Sequence, residues 1–271
     1  MTSPNQTETT TPTTKPNAEL PAALIALGLH RIAEDLDDFV ARATRSRWSP
    51  TQLLEEVVRL ETQERVRKSV ERRLGRSRLG RFKPMADFDW EWPKSIDREA
   101  VERVLGLGFI ERNENIVLVA NQGLGKTMIA KNIAHAAILA GKSALFVSAS
   151  EMLLDLSKQD TARGLESRLR HYTAPHVLVC DEIGYLSYDN AAADLLFQIV
   201  SRRYEKHSTV LTTNLAFSSW NTVFPNAACA TALIDRLTHH SEIITVEGES
   251  YRKREAEADK KARRRGKNGS S

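Results

Sequence analysis

Residues 116–141 read IVLVA–NQGLGKT–MIAKNIAHAAILAG: an apolar β-branched run, a glycine-bearing turn that ends in Lys-Thr, and a helical stretch closed by Gly141. Strand, loop and helix in that order are the setting a phosphate-binding loop requires. Gly123 and Gly125 let backbone N–H groups turn inward, and the start of the following helix adds its positive end. Lys126 offers a cation to the β- and γ-phosphates, and the Thr127 hydroxyl is positioned to ligate Mg2+. Asn121, Gln122, Gly123, Leu124, Gly125, Lys126, Thr127 and Met128 are therefore expected to wrap the phosphates of ATP. Ala120 stands where the usual pattern has its first glycine, a small residue that keeps a close approach possible.

Outward from this loop, four more short runs read as strands: SALFVS (143–148), HVLVC (176–180), STVLTT (208–213) and EIITV (242–246). Nearly all five are apolar on both faces, as parallel strands covered by helices on both sides are. Their alternation with helical stretches predicts a doubly wound α/β domain over residues 113–250 with a five-stranded parallel sheet.

Two of these runs end in residues suited to hydrolysis. HVLVC leads into Asp181-Glu182, which brings two carboxylates to the C-terminal edge of the sheet, where open α/β folds bind ligands. Asp181 can hold Mg2+ and Glu182 can orient the attacking water. STVLTT ends in Asn214, which either hydrogen-bonds that water or the γ-phosphate, or simply caps a turn. The apolar helix LIDRL (233–237) carries Arg236, either a surface ion-pair partner or an arginine finger for a neighbouring subunit's ATP.

The N-terminal third is different. Residues 1–18 are Thr- and Pro-rich and are expected to be disordered. Ile25, Leu29, Ile32, Leu36, Phe39 and Ala43 recur at helical spacing and predict one amphipathic helix. Ser49-Pro50-Thr51-Gln52 reads as a capping box opening a second helix, with an apolar stripe through Leu53, Val57, Leu60, Val66, Val70 and Leu74. Gly75 and Gly80 then break it. A small basic helical domain is expected over 19–83, an aromatic connector over 84–112, and a basic tail over 251–271.

Composition excludes several classes. The chain has 271 residues, 41% hydrophobic and 27% charged, ordinary for a globular protein with a buried core. No run of 18 apolar residues predicts a membrane span, and the N-terminus lacks the apolar core of a secretory signal. Cys180 and Cys229 lack metal-ligand spacing and read as reduced, buried thiols, pointing to the cytoplasm. Net charge is +4, yet it is unevenly placed. Arg59–Lys83 holds ten Lys/Arg against three Glu, and Arg252–Lys267 nine against three acids, which leaves the remainder acidic. Such concentration suits a polyanion such as nucleic acid, although charge runs are also ordinary solvated helix faces.

With these elements in order, the chain resembles the AAA+ ATPases, and within them the IstB/DnaC-like group, most closely the IstB helpers of insertion-sequence transposition. The resemblance rests on GLGKT, VCDEIGYL, LTTNLAFSSWNTVF and ALIDRLTHHSEIITVEGESYRKRE, and runs over roughly residues 25–256. It implies an ATPase that oligomerises with ATP between subunits, clamps duplex DNA with little sequence preference, and stimulates a partner transposase. In that frame Asn214 matches sensor 1, Arg236 matches the arginine finger, and Arg252 is the candidate for sensor 2. Helices between Ser150 and Tyr172 match an insertion that lines a DNA groove, making Lys158, Arg163, Arg168 and Arg170 candidate phosphate contacts beside Arg65, Arg67, Lys68, Arg72 and Arg73 on the basic helix. A helicase loader of the DnaC type shares the nucleotide motifs and is the alternative. A small-molecule kinase also uses a phosphate loop but does not need the Asp181, Glu182, Asn214 and Arg236 set.

Overall fold

A computed structural model describes residues 19–185, 187–225, 227–251 and 253–254. The expected disordered tail and most of the basic C-terminal tail, with Arg252, lie outside the described residues. The chain divides into two compact units at Ser69/Val70.

The first unit opens with α1 (Glu19–Ala26), α2 (His30–Glu34) and α3 (Leu36–Arg45). The single helix expected from Ile25 to Ala43 is thus broken into three pieces. Gly28 takes φ +78°, and Leu29 N–H reaches back to the Leu24 carbonyl at 2.9 Å, a left-handed helix stop that only glycine adopts readily. The break changes which residue faces inward: Leu24 packs against the Ile32, Leu36 and Phe39 cluster, whereas Ile25 is exposed. The long α4 (Pro50–Arg76) begins with the expected box, Gln52 N–H on Ser49 Oγ at 3.2 Å and Ser49 N–H on Gln52 Oε1 at 2.8 Å. Its Leu53, Val57 and Leu60 join the same cluster, but Val66, expected on the stripe, is exposed. The buried Glu61 carboxylate accepts from Ile32 N–H at 2.8 Å, satisfying an amide that the short α2 leaves unpaired.

The second unit is built on a sheet. After the last turns of α4 come a 3₁₀ turn at Met85–Asp87, β1 (Ser95–Ile96), α5 (Arg98–Leu105) and α6 (Gly108–Glu111). The strand–helix alternation follows: β2 (Asn115–Ala120), α7 (Lys126–Leu139), β3 (Ala144–Ser148), α8 (Ala149–Ser157), α9 (Ala162–Thr173), β4 (Val177–Ile183), α10 (Asn190–Arg203), β5 (Ser208–Thr213), α11 (Ala227–Thr238) and β6 (Ser241–Glu247). The strand order is β1-β6-β2-β5-β4-β3. All five expected strands are present and parallel; the sheet has six because β1, from the aromatic connector, adds antiparallel to the end of β6. Two residues carry no periodicity from which such a strand could be read.

Each face of the sheet has its own core, as alternation along a strand dictates. Ile116 and Leu118 of β2 join α5, α6 and α7, whereas Val117 joins α8, α9, α10 and α11 on the other side. Helix starts are held by local acceptors: Ser148 with Glu151, Thr161 with Gly164, and Asp189 with Ala192. At β3 the amides of Phe146 and Ser148 bond to the Ser77 carbonyl and the Glu151 carboxylate. Arg203, at the end of α10, is 1% exposed and donates to the carbonyls of Tyr172, Thr173, Pro175, His176 and Ser208 and to Thr209 Oγ1. Burial pushes its guanidinium down to about 9, so it stays charged at neutral pH and neutralises a ring of carbonyl dipoles.

Candidate active site

The C-terminal ends of β2, β4 and β5 lie at one edge of the sheet, with β5 between the strand that feeds the phosphate loop and the strand that carries the acidic pair. In the loop, Gly123 and Gly125 take φ +80° and +87°. Both are also needed for space. A Cβ on Gly125 would stand 2.6 Å from Phe88 Cε2, and one on Gly123 would collide with the Ser250 hydroxyl. Lys126 opens α7, only 9% exposed, and its ammonium donates to the carbonyls of Ala120 and Asn121 at 2.5 and 2.9 Å. Ala120 keeps the strand register opposite Val246 and packs its methyl beside Leu124, so the missing glycine is accommodated without a positive φ.

Asp181 is 6% exposed at the end of β4, and both its oxygens lie 3.1 Å from the Thr127 hydroxyl. Thr212 of β5 donates to Asp181 Oδ1 at 2.5 Å and accepts from Glu182 N–H at 2.9 Å. The reason is a bulge: Cys180 and Ile183 pair with Leu211 and Thr213, so Asp181 and Glu182 together oppose Thr212. Glu182 takes φ +62°, an uncommon conformation for a side chain of its kind, and its carboxylate is exposed to the cleft. The hydroxyl and carboxylate oxygens of Thr127 and Asp181 are the hard donors that Mg2+ prefers, and their contact fits such an ion.

Glu182 lines a cleft of about 480 Å³ together with Gln122–Met128 and Asn214, and Asp181 reaches it through its contact with Thr127. Asn121 lies on an adjoining depression that shares Asn214. The opposite wall comes from residues whose types carry no such signal in the sequence: Phe88, Asp89, Trp92 and Tyr251. Asn132 of α7 ties down the connector, accepting from Met85 N–H at 3.1 Å and donating to the Lys83 carbonyl at 2.9 Å. Trp92 Nε1 donates to the Glu249 carbonyl at 2.8 Å, and Arg254 sits 4.5 Å over the Trp92 ring while pairing with Asp89. The aromatic richness of MADFDW and GESYR is the one hint of this wall that the sequence offers.

Arg236 does not line this cleft. It lies over the Phe197 ring at 4.5 Å and donates to the Ala232 carbonyl at 3.3 Å. Cys180 is buried beside Asp181, and burial pushes its thiol up to about 12; Cys229, expected buried, is half-buried.

The candidate DNA contacts fall into two groups. Glu64 pairs with Arg67 at 2.6 Å and Lys68 at 3.2 Å, and the Arg67 bond above all holds its carboxyl down to about 2. Arg168 pairs with Asp155 and Arg170 with Glu166, while Arg65, among the described residues, reaches only the Gly28 carbonyl, at 3.5 Å. Among the described residues, Arg72, Arg73, Lys158 and Arg163 make no ion pair.

A parallel sheet with an interposed strand, a phosphate loop against a buried aspartate and a glutamate at the same edge define a P-loop protein of the AAA+ class. The sequence model described as IstB-like ATP binding protein matches residues 22–259, and the chain belongs to that ATP-binding family. It is 35% identical over 234 residues to an ATP-binding protein of insertion sequence IS232 from Bacillus thuringiensis subsp. berliner, covering 86% of this chain and 94% of that one. It is 34% identical over 237 residues to one of insertion sequence IS21 from Pseudomonas aeruginosa, covering 88% and 89%. The fold is similar to the crystal structure of DnaI, with a TM-score of 0.51 at 20% identity over 62% of this chain and 89% of that one. No described helix is long and apolar enough to cross a membrane.

Proposed function

We propose that the chain is a Mg2+-dependent ATPase that binds duplex DNA as an ATP-linked oligomer in the cytoplasm and assists a partner transposase. One observation carries the hydrolytic part: Thr127 touches Asp181 while Lys126, Glu182 and Asn214 lie around the same cleft. Thr127 and Asp181 would hold the ion, which when bound supplies neutralising charge at the β- and γ-phosphates. Lys126 leaves its loop carbonyls for those phosphates, Glu182 orients the attacking water and accepts its proton, and Asn214 hydrogen-bonds that water. Arg236, turned away from its own cleft, is the residue we assign to a neighbouring subunit's ATP.

The transposition role is supported by family membership and by the insertion-sequence names of the relatives. The uneven basic charge supports DNA as the polyanion. Lys126→Ala should abolish ATP binding in calorimetry, and Glu182→Gln should bind ATP but not turn it over. ATP-dependent retention of duplex DNA, and stimulation of a partner transposase, should vanish with Lys126→Ala. Wild-type hydrolysis by Glu182→Gln would overturn the hydrolytic assignment, and unchanged DNA retention by Lys126→Ala would overturn its link to DNA.

A further inference from the structure

The turn that follows α10 and the turn that follows α11 meet where β5 and β6 begin, at the sheet edge away from the ATP cleft. Tyr204 and Glu205 stand on the first turn, with Glu205 at φ +57°, and His239 and His240 on the second. The second turn is pinned from below, because Asn115 N–H at the start of β2 donates to the His240 carbonyl at 2.8 Å. One ligand atom each from Glu205, His239 and His240 lie within 4.8 Å of one another. His240 Nε2 and Glu205 Oε1 are 3.7 Å apart, beyond a good hydrogen bond. The Tyr204 hydroxyl is 2.8 Å from His239 Nδ1, and the two histidine rings are 4.1 Å apart between centroids.

We propose that Glu205, His239 and His240 form a site for a divalent transition-metal ion, with zinc as the type. Two imidazole nitrogens and a carboxylate oxygen are a donor set that zinc takes, at bond lengths that set tetrahedral ligand atoms about 3.3 Å apart. The Glu205–His240 pair is already within a few tenths of an ångström of that spacing. The exposed side chains close the remainder by rotation, without moving the backbone. Tyr204 supplies the outer contact that orients a ligating histidine: it occupies Nδ1 of His239 and leaves Nε2 for the metal. A lone exposed glutamate would be a solvated charge; here two imidazoles on a pinned turn converge with it. An ion in this position fastens α10 to α11. Those helices also meet where Phe197 carries Arg236.

The test uses full-length protein without an affinity tag, stripped of metal by chelation and kept free of nucleotide, so that it does not depend on the ATPase reading. Titration with Zn2+ in a calorimeter, and with Co2+ followed by visible absorption, should show one equivalent bound per chain and a raised thermal midpoint. His240→Ala and Glu205→Gln should each weaken binding at least about tenfold. His176→Ala should leave it unchanged, although His176 and His207 form another histidine pair with ring centroids 5.9 Å apart. The proposal is overturned by an absence of saturable binding, by binding that survives both site variants, or by binding that disappears in His176→Ala instead.

Discussion

The backbone amide of Tyr251 donates to the carbonyl of Gly123 at 2.9 Å, so the segment after the last strand is bonded to the first glycine of the phosphate loop. The Tyr251 ring lines the cleft and meets Trp92 edge-on at 6.0 Å. Amide and ring can be separated by substitution. Tyr251→Ala removes only the ring and should weaken ATP binding a few-fold. Tyr251→Pro also removes the donor and should weaken it by roughly a further fivefold, the worth of one hydrogen bond. Calorimetry with ATP checks both, and equal affinities for the two variants would show that the loop does not need this bond.

Arg236 rests on Phe197, outside the cleft of its own chain, and its assigned partner is a neighbour's γ-phosphate. Arg236→Ala should leave ATP binding by isolated subunits nearly intact while hydrolysis falls by about 10³-fold. Mixing it with Lys126→Ala should restore part of the activity, because some interfaces then pair an intact loop with an intact arginine. Mixed oligomers without recovered turnover would mean that Arg236 acts within its own subunit or only supports the fold.

Arg203 gathers the carbonyls of Tyr172, Thr173, Pro175, His176 and Ser208 around one buried guanidinium. Arg203→Met keeps bulk but strips those acceptors of this donor. It should cost at least about 3 kcal/mol in urea unfolding. Arg202→Ala, which removes only an exposed pair with Glu166, should change the midpoint little. Similar losses for the two would refute the structural role given to Arg203.

Basic residues already paired with carboxylates must give up those partners to reach a phosphate. Neutralising Arg72, Arg73, Lys158 and Arg163 should therefore weaken duplex binding more than neutralising Arg67, Lys68, Arg168 and Arg170. The logarithmic salt slope should fall by about 0.9 for each DNA phosphate that is no longer neutralised, on every duplex alike. Fluorescence anisotropy across a salt series reads this directly, and weakening confined to one DNA sequence would indicate base readout.

Much of the chemistry was legible because it is local. A loop of eight residues contains its own glycines, lysine and threonine, and a strand end carries Asp181 and Glu182 side by side. Thr212 was not legible. It matters only because β5 enters the sheet between two strands that precede it in the chain, and a bulge sets its hydroxyl against both acidic residues. Phe88, Trp92 and Tyr251 were hidden for a similar reason, their wall being closed by a bond between residues 157 positions apart. At the N-terminus the apolar period ran unbroken through Gly28. Periodicity registers which positions are greasy, but not that the chain reverses and moves Leu24 inward in place of Ile25.

The borders of the sheet bear on how copies of this chain can join. An uncovered outer strand invites another chain to add to it and so to grow without limit. Here β1 occupies one flank at Val246 and Glu247, and Arg103 of α5 clasps Glu242 further along. On the opposite flank the amides of Phe146 and Ser148 are already taken. Strand addition is thereby disfavoured at both flanks, so that the oligomer we propose would have to join through side-chain surfaces.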